Sequence, residues 1–93
     1  MNPFADVLEF HKKFDCHIGA LSEDIPLEVL ELRERLLNEE IDEALDELEI
    51  LKYVDAGKSE VAKELCDVIY VAIGMAIALG IDLEPVWDAV HAS

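Results

Sequence analysis

Apolar residues recur along most of this chain at intervals of three or four positions, which is the spacing of one face of an α-helix. The clearest pattern covers residues 27–54, where apolar positions share one side and most acidic residues lie elsewhere. A second pattern, over residues 60–79, is apolar on nearly every side, which is typical of a helix that others surround. Apolar and polar residues never alternate over more than four positions, so no strand is predicted. The pattern therefore predicts an all-α fold.

Residues typical of helix starts and ends divide the chain into four predicted helices. The first covers residues 2–14, the second and third are the two patterns just described, and a short fourth begins at Asp82. Helices of this number and size are expected to form a single bundle domain over residues 1–93. The predicted N-terminal caps are Asn2, Ser22 or Asp24, Ser59 and Asp82, with Pro26 in the first turn of the second helix and residues 55–57 as the following turn.

Hydrophobic residues make up 53% of the 93 residues, which is a large share for so small a domain. A sphere of this size cannot bury all of them in its own core. We therefore expect apolar surface that another copy of the chain covers, in a homodimer or homotetramer. Cys66 lies within the apolar third helix and is expected to be a reduced core residue.

The charge of the chain is strongly negative, since 22 Asp and Glu stand against 7 Lys and Arg and the formal net charge is −15. Such a surface repels nucleic acid and anionic membranes, so neither is an expected partner. A phosphate-bearing ligand would have to be received through cations, most simply Mg²⁺ or Mn²⁺. The N-terminus does not read as a signal peptide, and the longest apolar run, residues 68–81, is too short to span a membrane. We expect a cytoplasmic protein.

Acidic residues at helical spacing form two short stretches. Glu39, Glu40 and Glu43 lie on the second predicted helix, whereas Glu64 and Asp67 lie one turn apart near the head of the third. Burial of an ionised carboxylate is costly unless the group is paired or binds a metal, and this chain has few cations. Carboxylate oxygens suit Mg²⁺, Mn²⁺ or Ca²⁺ better than zinc, and no calcium-loop spacing is present. If the two helices pack together, the sequence predicts a site for Mg²⁺ or Mn²⁺.

Several of these residues also have an interpretation without a metal or a ligand. Most acidic residues of the second helix are expected to form a solvated face. Without a metal, Asp67 would need either a cap within its own helix or a lysine as its partner. Arg35 could equally pair with Glu31 or Glu39 along its own helix. His11 is expected to be a partly exposed helix histidine if no ligand contacts it.

The order Glu39-Glu40-x-x-Glu43, twenty residues, then Glu64-x-x-Asp67 resembles the EExxE and ExxD signature of the MazG-type all-α nucleoside triphosphate pyrophosphatases. The likeness covers nearly the whole chain and is closest to the short single-domain branch, which is related to phosphoribosyl-ATP pyrophosphohydrolase-like proteins. Further matching segments are Phe10-His11-x-x-Phe14, Leu32-Arg33-x-Arg35-Leu36-Leu37, Asp67-x-x-Tyr70-Val71-x-x-Gly74 and Val90-His91-x-Ser93.

The resemblance implies a four-helix bundle that a second copy completes, as a dimer or a dimer of dimers. It also implies that the carboxylates bind Mg²⁺ and that water attacks the α-phosphorus of a (deoxy)nucleoside triphosphate, giving the monophosphate and pyrophosphate. The implied metal ligands are Glu40, Glu43, Glu64 and Asp67, and the implied catalytic residues are Glu39, to position or deprotonate the water, and Glu40. The candidate substrate contacts are His11, Arg35, Lys63, Tyr70 and His91.

The sequence leaves two questions open. The same scaffold serves dUTPase-like enzymes and phosphoribosyl-ATP pyrophosphohydrolase, and a helical oligomerisation module without catalysis would use acidic residues only for solubility. In related sequences the ending after His91 usually continues into an Asn and a Lys that help to hold phosphates, whereas the sequence given stops at Ser93. Either the natural chain continues or this member lacks those contacts.

Overall fold

The computed structural model describes residues 1–20, 23–54 and 57–93, and within them it contains four helices and no strand. The helices are α1 (Pro3–Lys13), α2 (Leu27–Leu51), α3 (Lys58–Ala78) and α4 (Leu83–Ala92). The predicted all-α fold is confirmed. The candidate cap Ser22 and most of the predicted turn at 55–57 lie outside the described residues. None of the described helices is long and apolar enough to cross a membrane.

The predicted caps of α1 and α4 are confirmed. The Asn2 side chain accepts a hydrogen bond from the backbone N–H of Ala5 at 3.2 Å. The Asp82 side chain accepts one from the backbone N–H of Glu84 at 3.3 Å. Each cap satisfies a backbone donor that has no partner inside its helix.

The predicted start of α2 at Leu27 is confirmed, whereas its predicted cap and its predicted end are wrong. Pro26 is the N-cap itself, with no side-chain hydrogen bond to the helix end, so Asp24 does not cap and Pro26 does not lie in the first turn. The helix ends at Leu51, before the predicted Val54. A proline N-cap has no polar side chain, and for this reason rules based on polar caps do not find it.

Glycines bound α3 on both sides. Gly57 is the N-cap, with a left-handed φ of 99°. Ser59 is therefore not the cap as predicted; it lies in the first turn, where its hydroxyl donates to the Glu60 carboxylate at 3.0 Å. At the other end Gly80 takes φ 75° and stops the helix as expected, and its N–H donates to the Ile77 carbonyl at 3.1 Å.

The main packing contact joins α2 to α3, and α1 packs against the same α3. Arg33 of α2 lies against Gly74 of α3, whereas Glu40, two turns later on α2, lies near Asp67, two turns earlier on α3. The two helices therefore run antiparallel. Among the described residues α4 makes no extensive contact with another helix.

The segment between α1 and α2 is held against the end of α3 at Gly19. The Gly19 N–H donates to the Ile77 carbonyl at 3.0 Å. A Cβ at Gly19 would collide with the carbonyl oxygen of Ala78 and would lie 2.9 Å from the nitrogen of Gly80. A glycine lets the two backbones approach this closely.

The core is small and lies between α1 and the second half of α3; its buried hydrophobic residues are Val7, Ile73, Ala76 and Ala78. The first half of α3 is not surrounded, since Leu65 and Ile69 are 53% and 51% exposed and Cys66 is exposed as well. For the single chain, the expectations that α3 is enclosed on all sides and that Cys66 lies in the core are wrong.

Candidate metal centre

Four carboxylates from α2 and α3 meet on the seam between the two helices. One oxygen each from Glu40, Glu43, Glu64 and Asp67 can be chosen so that all four lie within 4.8 Å of one another. Residues three apart share a helix face, so each helix presents two carboxylates, and the antiparallel packing sets the two pairs side by side. These four residues are called the acidic centre below.

Two oxygens of the acidic centre are buried without a hydrogen-bond donor among the described residues. They are Oε2 of Glu40 and Oε2 of Glu64. A buried acceptor without a partner is unfavourable, and a charged one more so. A cation among the four carboxylates would satisfy both oxygens, and a hard oxygen donor set of this kind fits Mg²⁺ or Mn²⁺.

The proximity of these carboxylates also changes their acidity. The pKa of Glu43 is raised, chiefly by the negative charge of Glu40, and further by desolvation and by Glu64. Like charges at short range favour the protonated form of one of them, and a bound cation would remove the repulsion. The electrostatics of the centre therefore favour uptake of a cation.

Lys63 already supplies one positive charge to the centre. Its ammonium donates to Oδ2 of Asp67 at 2.8 Å and lies 3.5 Å from Oε1 of Glu64. The hydrogen bond and charge of Asp67 raise the pKa of Lys63. The lysine partner considered for Asp67 in the interpretation without a metal is therefore present. The Asp67 side chain is 37% exposed, so it is less buried than its place in an apolar helix suggests.

A comparison with protein families found a match over most of the chain. Residues 7–93 match the family model described as phosphoribosyl-ATP pyrophosphohydrolase. The chain belongs to this family. The resemblance carried by the EExxE and ExxD motifs is thereby confirmed. A comparison with curated proteins gave no match.

Membership in the phosphoribosyl-ATP pyrophosphohydrolase family implies a hydrolase that acts on a phosphoric anhydride bond. A nucleotide with a triphosphate-like chain carries such bonds. The acidic centre agrees with this chemistry, because hydrolysis of a polyphosphate is helped by a divalent cation that offsets its negative charge.

Other residues predicted for the site lie outside the acidic centre. Glu39 is exposed on α2 and is not part of the group of four. Arg35 is exposed, and neither of the pairs considered for it, with Glu31 or with Glu39, occurs among the described ion pairs. His91 is exposed near the end of α4. Their roles in a family member stay predictions.

Tyr70 follows Asp67 by one turn of α3 and belongs to an aromatic group with Phe10 of α1 and Phe14, the C-cap of that helix. Its ring meets Phe10 edge-on at 5.6 Å between centroids, and Phe10 lies 4.6 Å from Phe14. Desolvation, followed by the charges of nearby acidic residues, raises the pKa of Tyr70. Phe14 and Tyr70 stay 59% and 40% exposed, so aromatic surface is available near the acidic centre.

His11 is buried, with 2% exposure, so the expectation of a partly exposed histidine is wrong. Its Nδ1–H donates to the backbone carbonyl of His17 at 3.1 Å, because a carbonyl can only accept. Burial, and to a smaller extent the charge of Arg33, lowers the pKa of His11. The neutral ring thus ties α1 to the following segment, and its predicted substrate contact stays untested.

Arg33 lies at the helix junction, and the sequence motif that contains it assigned it no role. It is buried, with 9% exposure, and its Nε has no hydrogen-bond partner among the described residues. A Cβ on Gly74 would lie 3.0 Å from Arg33 Nη1 and 3.2 Å from His11 Nε2. Gly74 is the feature of the sequence that could have indicated this contact, since a glycine inside an apolar helix often marks a place where a neighbouring helix or side chain approaches closely.

Proposed function

We propose that this chain is a Mg²⁺-dependent nucleoside triphosphate pyrophosphohydrolase that cleaves the bond between the α- and β-phosphates. The products would be a nucleoside monophosphate and pyrophosphate, and a (deoxy)nucleoside triphosphate is the proposed substrate. The observation that carries the proposal is the acidic centre, in which two helices bring four carboxylates within 4.8 Å of one another. The family match supports the same class of reaction.

Glu40, Glu43, Glu64 and Asp67 are the residues proposed to hold Mg²⁺, with Mn²⁺ as a substitute. Their fit rests on the two buried oxygens without a donor and on the repulsion that raises the pKa of Glu43. When bound, the cation would neutralise charge on the triphosphate and on the leaving pyrophosphate.

Glu39 is proposed to position the attacking water and to accept its proton. It precedes Glu40 directly on α2, and its exposed side chain leaves the carboxylate accessible to solvent. A carboxylate placed beside a metal centre without being buried in it can serve as a general base. Arg35, Lys63, Tyr70 and His91 remain candidate contacts for the phosphates or the base.

A homo-oligomer is part of the proposal, because much apolar surface lies exposed on the single chain. The exposed apolar side chains lie on both α3 and α4. On α4, which packs against no other described helix extensively, Trp87 is 61% and Val90 is 66% exposed. Apolar surface of this extent on a small domain is typical of a protein interface.

Phosphoribosyl-ATP is the second candidate substrate, because the matching family model carries that description. The two substrates share the bond that is broken, so the acidic centre alone does not separate them. One assay does: pyrophosphate release is followed with canonical dNTPs, dUTP and phosphoribosyl-ATP, each in Mg²⁺ and in Mn²⁺. Release from dNTPs supports the lead proposal, and release from phosphoribosyl-ATP alone supports the second. No release from any of these nucleotides would favour a non-catalytic helical module.

A further inference from the structure

Lys63 is the described cation that pairs with the acidic centre. Its ammonium bridges Asp67, at 2.8 Å, and Glu64, at 3.5 Å, and both acceptors are proposed metal ligands on α3. Among the described ion pairs no cation contacts Glu40 or Glu43, the two ligands on α2. The negative charge of the centre is therefore compensated on its α3 side only.

The geometry of an isolated helix favours this pair only weakly. Lys63 precedes Asp67 by one turn, and a base before an acid is the weaker order on a helix. The Lys63 side chain is also 69% exposed, and exposed ion pairs are weak. The contact is favoured by the concentration of negative charge at the centre, which attracts a nearby cation.

We propose that Lys63 exchanges between two partners. Without a divalent cation its ammonium occupies the carboxylates of Asp67 and Glu64. When these carboxylates hold a divalent cation, Lys63 leaves them and contacts the phosphates of the bound nucleotide. The inference rests on the function proposed above and adds a specific role for one residue.

The side chain of Lys63 is suited to both positions. A carboxylate oxygen that accepts from an ammonium cannot direct the same lone pair at a metal ion, and two adjacent cations repel each other. The lysine stem has four flexible carbons, so the ammonium can leave Asp67 without movement of α3. Its Cα stays one turn from Asp67, which keeps the ammonium near any phosphate attached to the cation at the centre.

If Lys63 exchanges between these partners, replacing it should have opposite effects on the affinities for Mn²⁺ and for pyrophosphate. Lys63→Met removes a competitor for the carboxylates, so Mn²⁺ alone should bind about fivefold more tightly, as expected for loss of one exposed ammonium–carboxylate contact. The same substitution removes a phosphate contact, so pyrophosphate should bind about fivefold more weakly to the Mn²⁺-loaded protein.

The test is calorimetric titration of the full chain with Mn²⁺ alone, and then with inorganic pyrophosphate at saturating Mn²⁺. Lys52→Met is the matched control, because Lys52 forms an ion pair of the same 2.8 Å length with Glu49, outside the acidic centre. Lys52→Met changes the net charge by the same amount as Lys63→Met. Salt near 0.15 M limits long-range electrostatic effects in both variants.

The expected result is that Lys63→Met strengthens Mn²⁺ binding and weakens pyrophosphate binding, while Lys52→Met does neither. Equal Mn²⁺ affinity in both variants would overturn the competition, and unchanged pyrophosphate affinity would overturn the phosphate contact. Either result, with Mn²⁺ binding to the wild-type chain, leaves the proposed function intact. Failure of the wild-type chain to bind Mn²⁺ would overturn the metal centre and this inference together.

Discussion

The guanidinium of Arg33 on α2 lies against the backbone of Gly74 on α3, so close that a Cβ at Gly74 would stand 3.0 Å from Nη1. Arg33 is buried, and the nearby His11 ring is held by the His17 carbonyl. This junction of three helices lies two turns from Glu40 along α2, so we expect it to help set the register of α2 against α3.

Gly74→Ala should destabilise the fold even though alanine is the better helix former. The gain in helix propensity is about 1 kcal/mol, whereas overpacking in a tight core costs about 1–3 kcal/mol. We expect a net loss of about 1 kcal/mol, seen as a melting temperature lower by about 5 °C. In an Arg33→Met background the same substitution should cost less, because the close neighbour is gone. A Gly74→Ala chain that melts higher than wild type would contradict the close packing.

Because His11 is buried, we expect the folded chain to lose stability on mild acidification. Burial lowers the pKa of His11 in the folded chain below the ordinary value of 6.5. Between the folded pKa and 6.5, the unfolded chain therefore binds a proton at His11 that the folded chain does not. Stability is therefore complete above about pH 6.5 and falls as the pH decreases towards the folded pKa. The neighbouring groups whose charge acts on His11 are Arg33 and His17, and His17 pairs with Glu23 at 3.2 Å.

The measurement is urea unfolding at several pH values between about 7.5 and 5.5. His11→Gln should show a flatter pH dependence than wild type, because a glutamine amide can donate to the His17 carbonyl but does not titrate. Carboxylates such as Glu43 are present in both chains, so their contribution to the pH dependence is the same in wild type and in the variant. Identical pH profiles would show that His11 is not the group responsible.

The exposed apolar face of α3 predicts association of the chain. Ile69→Lys places a charge on a side chain that is 51% exposed in the single chain and should be covered in the oligomer. Light scattering should give a multiple of 10.4 kDa for wild type and a smaller mass for this variant. Tyr53→Lys, at a residue 81% exposed just after α2, adds the same charge and should leave the mass unchanged. A monomeric wild-type chain would refute the interface.

Glu39→Gln should separate catalysis from metal binding. The substitution removes a proton acceptor but leaves the four residues of the acidic centre in place. Loss of a general base lowers turnover by about 100-fold or more. We expect this loss in pyrophosphate release, with an unchanged Mg²⁺-induced rise in melting temperature. Full activity of the variant would assign the water to another residue.

The sequence predicted the parts of this structure that depend on local rules. Helical periodicity placed the four helices, and the polar caps Asn2 and Asp82 were found because their side chains act on the first turn that follows them. The spacing of Glu64 and Asp67 predicted a shared face, which the acidic centre shows. These features need only neighbours within one or two helical turns.

Features that depend on contacts between distant segments were missed. The burial of His11 and Arg33 results from the meeting of three helices, and neither residue type is normally found in a core. The N-caps of α2 and α3 were missed for a local reason, since Pro26 and Gly57 have no polar side chain. The exposure of α3 was misjudged because one chain does not cover its own apolar surface.

The acidic centre is expected to bind a divalent cation, and thermal melting with and without Mg²⁺ shows whether it does. Glu40→Gln and Glu64→Gln each change a proposed ligand that has a buried oxygen without a hydrogen-bond partner among the described residues. Glu34→Gln is the control, at an exposed position of the same α2 helix. Mg²⁺ at about 100 times its dissociation constant should raise the melting temperature of wild type and of the control by about 10 °C.

The two ligand variants should melt no lower than wild type without Mg²⁺, because each relieves repulsion between carboxylates. They should lose most of the rise with Mg²⁺. A wild-type melting temperature that Mg²⁺ leaves unchanged, or a rise that persists in both ligand variants, would contradict the metal centre on which the proposed hydrolysis depends.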